Sequence, residues 1–110
     1  MSRLKANSDF QRVRREGRSW SHPLIVLIAR ANGLTESRLG IAAGKAVGGA
    51  VKRNRAKRRL RAAIRLAATT LSAGWDVVLV ARPGLPDADW PEVVGAFTQL
   101  LKRAKILKDG

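Results

Sequence analysis

The feature that most constrains the fold is the separation of apolar and basic residues within residues 49–71. With successive residues about 100° apart around a helix axis, one side would carry Ala56, Leu60, Ala63, Ile64, Ala67 and Leu71. The opposite side would carry Asn54, Lys57, Arg58, Arg61 and Arg65. A disordered basic tail would not show such segregation. The segment therefore predicts an amphipathic helix whose apolar side joins a core.

The charge on this helix indicates a polyanionic partner. The chain has a net charge of +14, and seven of the ten residues from Lys52 to Arg61 are Lys or Arg. Lys57–Arg61 and Arg61–Arg65 are like-charge pairs four residues apart, which destabilise an isolated helix by a few tenths of a kcal/mol each. Nucleic acid is the favoured partner. The alternative, an anionic membrane surface, would favour bulky aromatic anchors opposite the charge, where this helix has Ala, Leu and Ile.

The segments before the basic helix predict one short helix and three strands. Ser8 is positioned to cap a helix over residues 8–16, with Gln11 closing a capping box. Gly17 would end that helix. Apolar and β-branched runs predict strands at residues 19–22, 23–32 and 38–45, and the second of these reads as buried on both faces.

The segments after it predict a strand and a final helix. Gly74 is expected to end the basic helix, and residues 76–83 form the next apolar run. Asp89 and Pro91 signal the start of the last helix. Its apolar positions recur every three or four residues, at Val93, Phe97, Leu100 and Ala104. The order α-β-β-β-α-β-α within one domain, residues 1–110, indicates an α+β sandwich with helices on a mixed sheet.

Several chemistries are excluded by residue type and spacing. A phosphate-binding loop needs four residues between its glycines and Ser or Thr after its Lys. Here three residues separate Gly40 from Gly44, and Ala46 follows Lys45, so we expect the two glycines to mark close packing. His22 is the only histidine, there is no cysteine, and the eight acidic residues are scattered. We therefore expect no catalytic or metal site on the protein itself.

Nothing in the sequence suggests a membrane or secreted protein. The N-terminal residues are polar and lack the apolar core of a secretory signal. The longest apolar runs are too short to span a bilayer. The expected location is the cytoplasm, with no membrane partner.

The run RLGIAAGKAVGG followed by AVKRNRAKRRLR resembles the protein subunit of bacterial ribonuclease P. Arg53-Asn54-Arg55 and Lys57-Arg58 match the family's basic signature, and the resemblance extends from LKANSDFQRVRREG to DVVLVARP and the final helix. It implies a sandwich like a domain of a small-subunit ribosomal protein, with a left-handed βαβ crossover. It also implies an RNA subunit that holds Mg²⁺ and cleaves the 5′ leader from precursor tRNA, while the protein binds both RNAs.

The resemblance also implies roles for individual residues. The positions expected to face the catalytic RNA are Arg53, Asn54, Arg55, Arg58 and Arg59. Those expected to receive the precursor leader in a central cleft are Phe10, Arg14, Ile28, Lys45, Lys57 and Arg61. Arg14 and Ile28 stand where family members often carry aromatics, so leader binding is expected to depend more on charge than on stacking. Gly49 replaces a common Asn and leaves the helix start without a capping side chain.

Two functions from other classes remain open on the sequence. One is a ribosomal or other structural RNA-binding protein of similar fold, and the other is a DNA-binding basic helix. The Arg-Asn-Arg core and the absence of a dimerisation heptad disfavour the second. Whether Phe10 belongs to the core or stacks on a base is also open.

Overall fold

A computed structural model describes residues 2–67 and 69–107 of the chain. These residues form five strands, β1 to β5, and three helices, α1 to α3. The strands are Ser2–Arg3, Arg18–Ser21, Ile25–Ala31, Arg38–Ala42 and Trp75–Ala81, and the helices are Asn7–Glu16, Ala50–Ala67 and Trp90–Ala104. The predicted α+β order is confirmed, with one addition. The two-residue strand β1 precedes α1 and pairs in parallel with β4.

The strands form one mixed sheet in the order β1-β4-β5-β3-β2. β3 pairs antiparallel with β2 and β5, and Leu27 lies opposite Leu79. β4 is parallel to β5, with Leu39 opposite Val77. Two adjacent parallel strands need a crossover connection, and α2 supplies it. The left-handed sense of this crossover stays a prediction.

The main core lies between one face of the sheet and helices α2 and α3. Along β3 the residues Ile25, Leu27 and Ala29 are buried on this face and alternate with half-buried neighbours. The predicted apolar side of α2 joins this core through Ala56, Leu60, Ala63 and Ala67, and the predicted positions of α3 join it through Val93, Phe97, Leu100 and Ala104. Helix α1 covers the other face, so the prediction that β3 is covered on both faces is confirmed.

Two predicted helix ends are wrong. Helix α1 begins at Asn7 after Ala6, and Ala6 makes no side-chain cap bond; Ser8 lies inside the helix. The Ala6 carbonyl accepts hydrogen bonds from the amides of Asp9 and Phe10, so the turn forms one residue before a Ser8 cap could act. Helix α2 ends at Ala67, before Gly74. Gly74 has φ of 90°, a left-handed conformation that suits glycine, in the turn that leads into β5.

The two glycines of β4 and the following loop behave differently. A Cβ on Gly40 would collide with the ring of Phe10, so this glycine does mark a close approach of α1 to the sheet, as predicted. Around Gly44 a Cβ would meet nothing within 4 Å. The close-packing prediction is therefore wrong for Gly44, which begins a short 3-10 turn at Lys45–Val47.

Candidate nucleic-acid interface

Helix α2 presents its charged residues on two flanks. With its buried side fixed on the sheet, successive residues rotate by about 100° around the axis. Lys57, Arg61 and Arg65 form one exposed strip, which we call the groove flank. The opposite strip, the far flank, consists of Arg55, Arg58 and Arg59. The two strips face different neighbours, which the next paragraphs describe.

The groove flank borders an open groove of about 400 Å³, which we call the α1–α2 groove. It runs along the β1–β4 edge of the sheet, with helix α1 on one side and α2 on the other. Its lining includes Phe10, Gly40, Ile41, Lys57, Arg61 and Arg65. Since β1 is only two residues long, it pairs with Arg38 and Leu39 and ends before Gly40. The later part of β4 is therefore accessible from the groove.

Phe10 forms part of the groove wall and part of a small core. Its ring packs against the cluster of Leu4, Val13 and Val78 beneath α1, while the residue remains half-exposed. A second depression of about 400 Å³ continues on the other side of Phe10 and includes Arg14 and Lys57. Both depressions share Phe10, Ile41 and Lys57. The open question of core or surface is answered: Phe10 is in both environments.

Helix α1 is held in place over the sheet by an ion pair network centred on Arg38. The Arg38 guanidinium lies 3.6 Å from a carboxylate oxygen of Asp9, the residue before Phe10. It also donates to Asp76 of β5, which is 1% exposed. Asn32 Nδ2 donates a further hydrogen bond of 2.9 Å to Asp76. These contacts fix the helix turn that carries Phe10.

The structure brings four of the six residues predicted for the leader to this groove and its extension. They are Phe10, Arg14, Lys57 and Arg61. Lys45 is exposed in the 3-10 turn after β4 and lines neither depression. The predicted position of Ile28 in the cleft is wrong. Since β5 lies between β3 and β4, Ile28 is distant from the groove edge, and it packs beneath α1 against the Leu4, Val13 and Val78 cluster.

The residues predicted to face the catalytic RNA are spread around α2. Asn54 is exposed in a depression with Val51, Arg58 and Arg61, and Arg55 and Arg59 lie on the far flank. Arg53 is half-buried and is rotated about 160° from Arg55 around the helix. Arg53 therefore lies on the side of Lys57. A single flat RNA surface could not contact Arg53 and Arg55 together.

The far flank is anchored to the segment that leads into α3. Arg55 Nη1 lies 3.3 Å from Asp87 Oδ1, and Lys52 Nζ lies 3.4 Å from Asp87 Oδ2. Arg59 Nη1 donates a hydrogen bond to the carbonyl of Ala88. Exposed ion pairs of this length contribute little stability, about 0 to 1 kcal/mol. Their effect is to orient the arginine side chains toward the start of α3.

Sequence reasoning missed the contribution of Ser2 and Arg3 to the groove. A two-residue strand has no periodicity that a sequence pattern could reveal. It also missed Trp90, which lies beside the far flank. That proximity depends on how α3 packs against α2, which local sequence does not specify.

Comparison with known proteins identifies the family. A sequence model of the Ribonuclease P family matches residues 1–105. The ribonuclease P protein component of Herpetosiphon aurantiacus is 42% identical over 107 residues, which cover 97% of this chain and 87% of the relative. That of Roseiflexus sp. (strain RS-1) is 41% identical over 96% of this chain and 88% of the relative. The chain belongs to the ribonuclease P protein family.

Solved structures of the family have the same fold. The Staphylococcus aureus ribonuclease P protein superposes with a TM-score of 0.87 at 29% identity, covering 98% of this chain and 99% of that one. The Thermotoga maritima protein gives 0.83 at 32% identity, with complete coverage of both chains. The predicted membership of the ribonuclease P family is thus confirmed. The alternatives of a ribosomal protein and a DNA-binding helix are set aside.

Family membership makes the chain a protein subunit of a ribonuclease that acts in tRNA processing, and it implies an RNA partner. Over residues 2–67 and 69–107, no group of three or more His, Cys, Asp or Glu side chains could hold a metal ion. None of the helices in the same residues combines the length and apolar composition needed to cross a membrane.

Proposed function

We propose that the chain binds the ribonuclease P RNA through the outer and far sides of α2 and binds the 5′ leader of precursor tRNA in the α1–α2 groove. In this proposal the RNA subunit holds the Mg²⁺ ions and carries out phosphodiester hydrolysis. The protein contributes affinity and positioning. The expected location is the cytoplasm.

The observation that carries this proposal is the composition of the α1–α2 groove. One wall presents the half-exposed ring of Phe10, and the other presents the cations Lys57 and Arg61. A single nucleic-acid strand needs these two elements, because its bases stack on aromatic rings and its phosphates attract Lys and Arg. The groove is open at the surface, so a strand could enter from the side without threading.

The opposite sides of α2 favour a second RNA surface. Between Ser37 and Trp75 the chain has ten Lys or Arg and no acidic residue. The far flank is directed away from the groove, and a bound leader in the groove would leave it accessible. One helix could then join the leader to the RNA subunit. This arrangement would fix the position of the substrate relative to the catalytic RNA.

Such a subunit would favour substrate over product. The leader is present in precursor tRNA and absent from mature tRNA, so every contact in the groove adds affinity for the precursor alone. Release of the leader after cleavage removes those contacts. The protein would thus increase selectivity for the precursor without a catalytic group of its own.

Reconstitution tests the proposal. The purified chain is combined with a bacterial ribonuclease P RNA, Mg²⁺ and precursor tRNA, and cleavage at the 5′ end is followed. We expect the chain to increase cleavage at limiting Mg²⁺, because its net charge of +14 replaces counterions along the RNA. We expect no cleavage by the chain without RNA. Cleavage by the protein alone, or no effect on the RNA, would contradict the proposal.

A matched control separates groove contacts from general charge. Lys57→Ala/Arg61→Ala and Arg82→Ala/Lys102→Ala each remove two positive charges, and Arg82 and Lys102 are exposed outside α2. The first pair should reduce the preference for precursor over mature tRNA, and the second should not. Equal effects of the two pairs would mean that net charge alone accounts for binding.

A further inference from the structure

The far flank of α2 continues onto an exposed aromatic residue. Trp90 is the first residue of α3 and is 38% exposed. It lines a shallow depression of about 420 Å³ together with Arg55, Arg58, Arg59 and Ala62. Ala62 leaves the floor of the depression low beside the indole ring. An aromatic surface surrounded by guanidinium groups is thereby presented to solvent on the side of α2 opposite the groove flank.

The position of Trp90 relative to the arginines is fixed. The preceding 3-10 turn, Leu85–Asp87, inserts the buried side chains of Leu85 and Pro86 into the core. Its last residue, Asp87, pairs with Arg55, and the next carbonyl, of Ala88, accepts from Arg59. Trp90 follows two residues later at the start of α3. The depression therefore exists before any ligand arrives, which lowers the entropic cost of binding.

The charges around the depression favour an anionic ligand with a flat apolar part. Asp87 is engaged by Lys52 and Arg55, and the exposed Asp89 and Glu92 lie on the α3 side. In the part of the chain that the structure describes, Arg58 takes part in none of the ion pairs, and it borders the depression on the solvent side. Isolated exposed apolar residues are common on protein surfaces. Here the exposed ring coincides with three arginines, and together they match a base with its phosphate.

We propose that Trp90 and the far-flank arginines form a stacking site for one unpaired base of the RNA subunit. The indole ring stacks on the base, and Arg58 contacts an adjacent phosphate. Arg55 and Arg59 hold the start of α3 against α2. This inference rests on the proposed function, since it assigns a specific contact to the RNA-binding side of α2. The leader is excluded as the ligand, because the α1–α2 groove lies on the other side of the helix.

The first test measures affinity of the full-length protein for the RNA subunit at fixed salt. We expect Trp90→Ala to bind about tenfold more weakly, within the range of a single base–aromatic stack. Trp90→Phe keeps a ring and should retain most of the affinity. Leu34→Ala is the matched control, because Leu34 is 51% exposed but lies in the loop before β4. Affinity of Trp90→Ala equal to wild type, or an equal loss in Trp90→Phe, would overturn the inference.

The second test observes the ring directly and does not require Trp90 to be changed. Trp20 and Trp75 are half-buried, and replacing both with Phe leaves Trp90 as the only tryptophan. Stacking should quench its fluorescence when the RNA subunit is added. An isolated leader oligonucleotide should not quench it. Unchanged fluorescence in a complex shown to have formed would overturn the inference and leave the proposed function intact, whereas failure of the wild-type chain to bind the RNA subunit would overturn the proposed function.

Discussion

Arg38 donates two parallel hydrogen bonds to Asp76, of 2.8 Å from Nε to Oδ1 and 2.6 Å from Nη2 to Oδ2. Burial opposes ionisation of Asp76, but hydrogen bonds from Arg38 and Asn32 and the charges of Arg38 and Arg30 outweigh it, so the pKa of Asp76 lies below its usual value. The hydrogen bond to Asp76 likewise raises the pKa of Arg38. The pair joins β4 to β5 beneath the helix that carries Phe10.

Asp76→Asn should destabilise the fold and reduce its dependence on acidic pH. Loss of charge-assisted hydrogen bonds at a buried site should cost about 2 to 3 kcal/mol at pH 7. Because the folded pKa of Asp76 is lowered, its contribution is complete above its unfolded value of about 3.9 and is lost as pH falls through the folded value. Urea unfolding at pH 7 and below pH 4 should therefore show a gap between wild type and variant that narrows in acid. A gap that stays constant would contradict this account.

Gly40→Ala should displace the ring of Phe10. The added Cβ would overlap the ring, which can move only outward into the groove or by shifting α1. Overpacking of this kind costs about 1 to 3 kcal/mol. We expect weaker binding of precursor tRNA with unchanged affinity for the RNA subunit, measured with each RNA separately.

Gly95→Ala is the control for that substitution. Gly95 lies inside α3, and a Cβ there would meet nothing within 4 Å. Because Ala is a better helix former, this variant should be more stable by about 0.5 to 1 kcal/mol. Its affinities for both RNAs should match wild type. If Gly95→Ala weakens precursor binding as much as Gly40→Ala does, the effect of Gly40→Ala cannot be assigned to Phe10.

The two flanks of α2 should have separable functions. Lys57→Ala/Arg61→Ala should weaken precursor tRNA more than mature tRNA, since both residues line the α1–α2 groove. Arg55→Ala/Arg58→Ala should weaken assembly with the RNA subunit and leave the ratio of precursor to mature affinity unchanged. Each lost phosphate contact should cost about 1 kcal/mol, after solvation offsets part of the hydrogen bond. The same change of ratio in both variants would show that the flanks do not act separately.

RNA binding should depend strongly on salt. Each neutralised phosphate contributes roughly 0.7 to 0.9 to the slope of log K against log salt, so about five contacts from α2 give a slope steeper than about −3. Titrations between low and moderate salt measure it. The double variant Lys57→Ala/Arg61→Ala should lower the magnitude of the slope for precursor tRNA by about 1.4 to 1.8, by the same rule. A nearly flat dependence would mean that α2 is not the binding surface.

Elements with strong local signals could be predicted from the sequence. The buried positions of α2 follow from spacings of three and four, and α3 starts where Asp89 and Pro91 indicate. The groove residues on α1 and α2 came from the family resemblance combined with this periodicity. The start of α1 was displaced by one residue, because the Ala6 carbonyl begins the helix without any capping side chain.

Features that depend on distant parts of the chain could not be predicted. Ile28 was expected in the cleft, but the insertion of β5 between β3 and β4 moves it away from the groove edge. Strand order is a property of the whole sheet, and a single strand's composition does not encode it. The same applies to Trp90, whose proximity to Arg59 arises from the packing of α3 on α2.

Because the core and both flanks share one helix, α2 should tolerate changes of residue far better than changes of length. One residue inserted after Asn54 would rotate all later positions by about 100° relative to the first turn. If the first turn kept its place, Leu60 would leave the core for solvent, and Lys57 would leave the groove. Substitutions at exposed positions would alter one surface at a time, whereas a single-codon insertion or deletion would disrupt the fold and both RNA surfaces together.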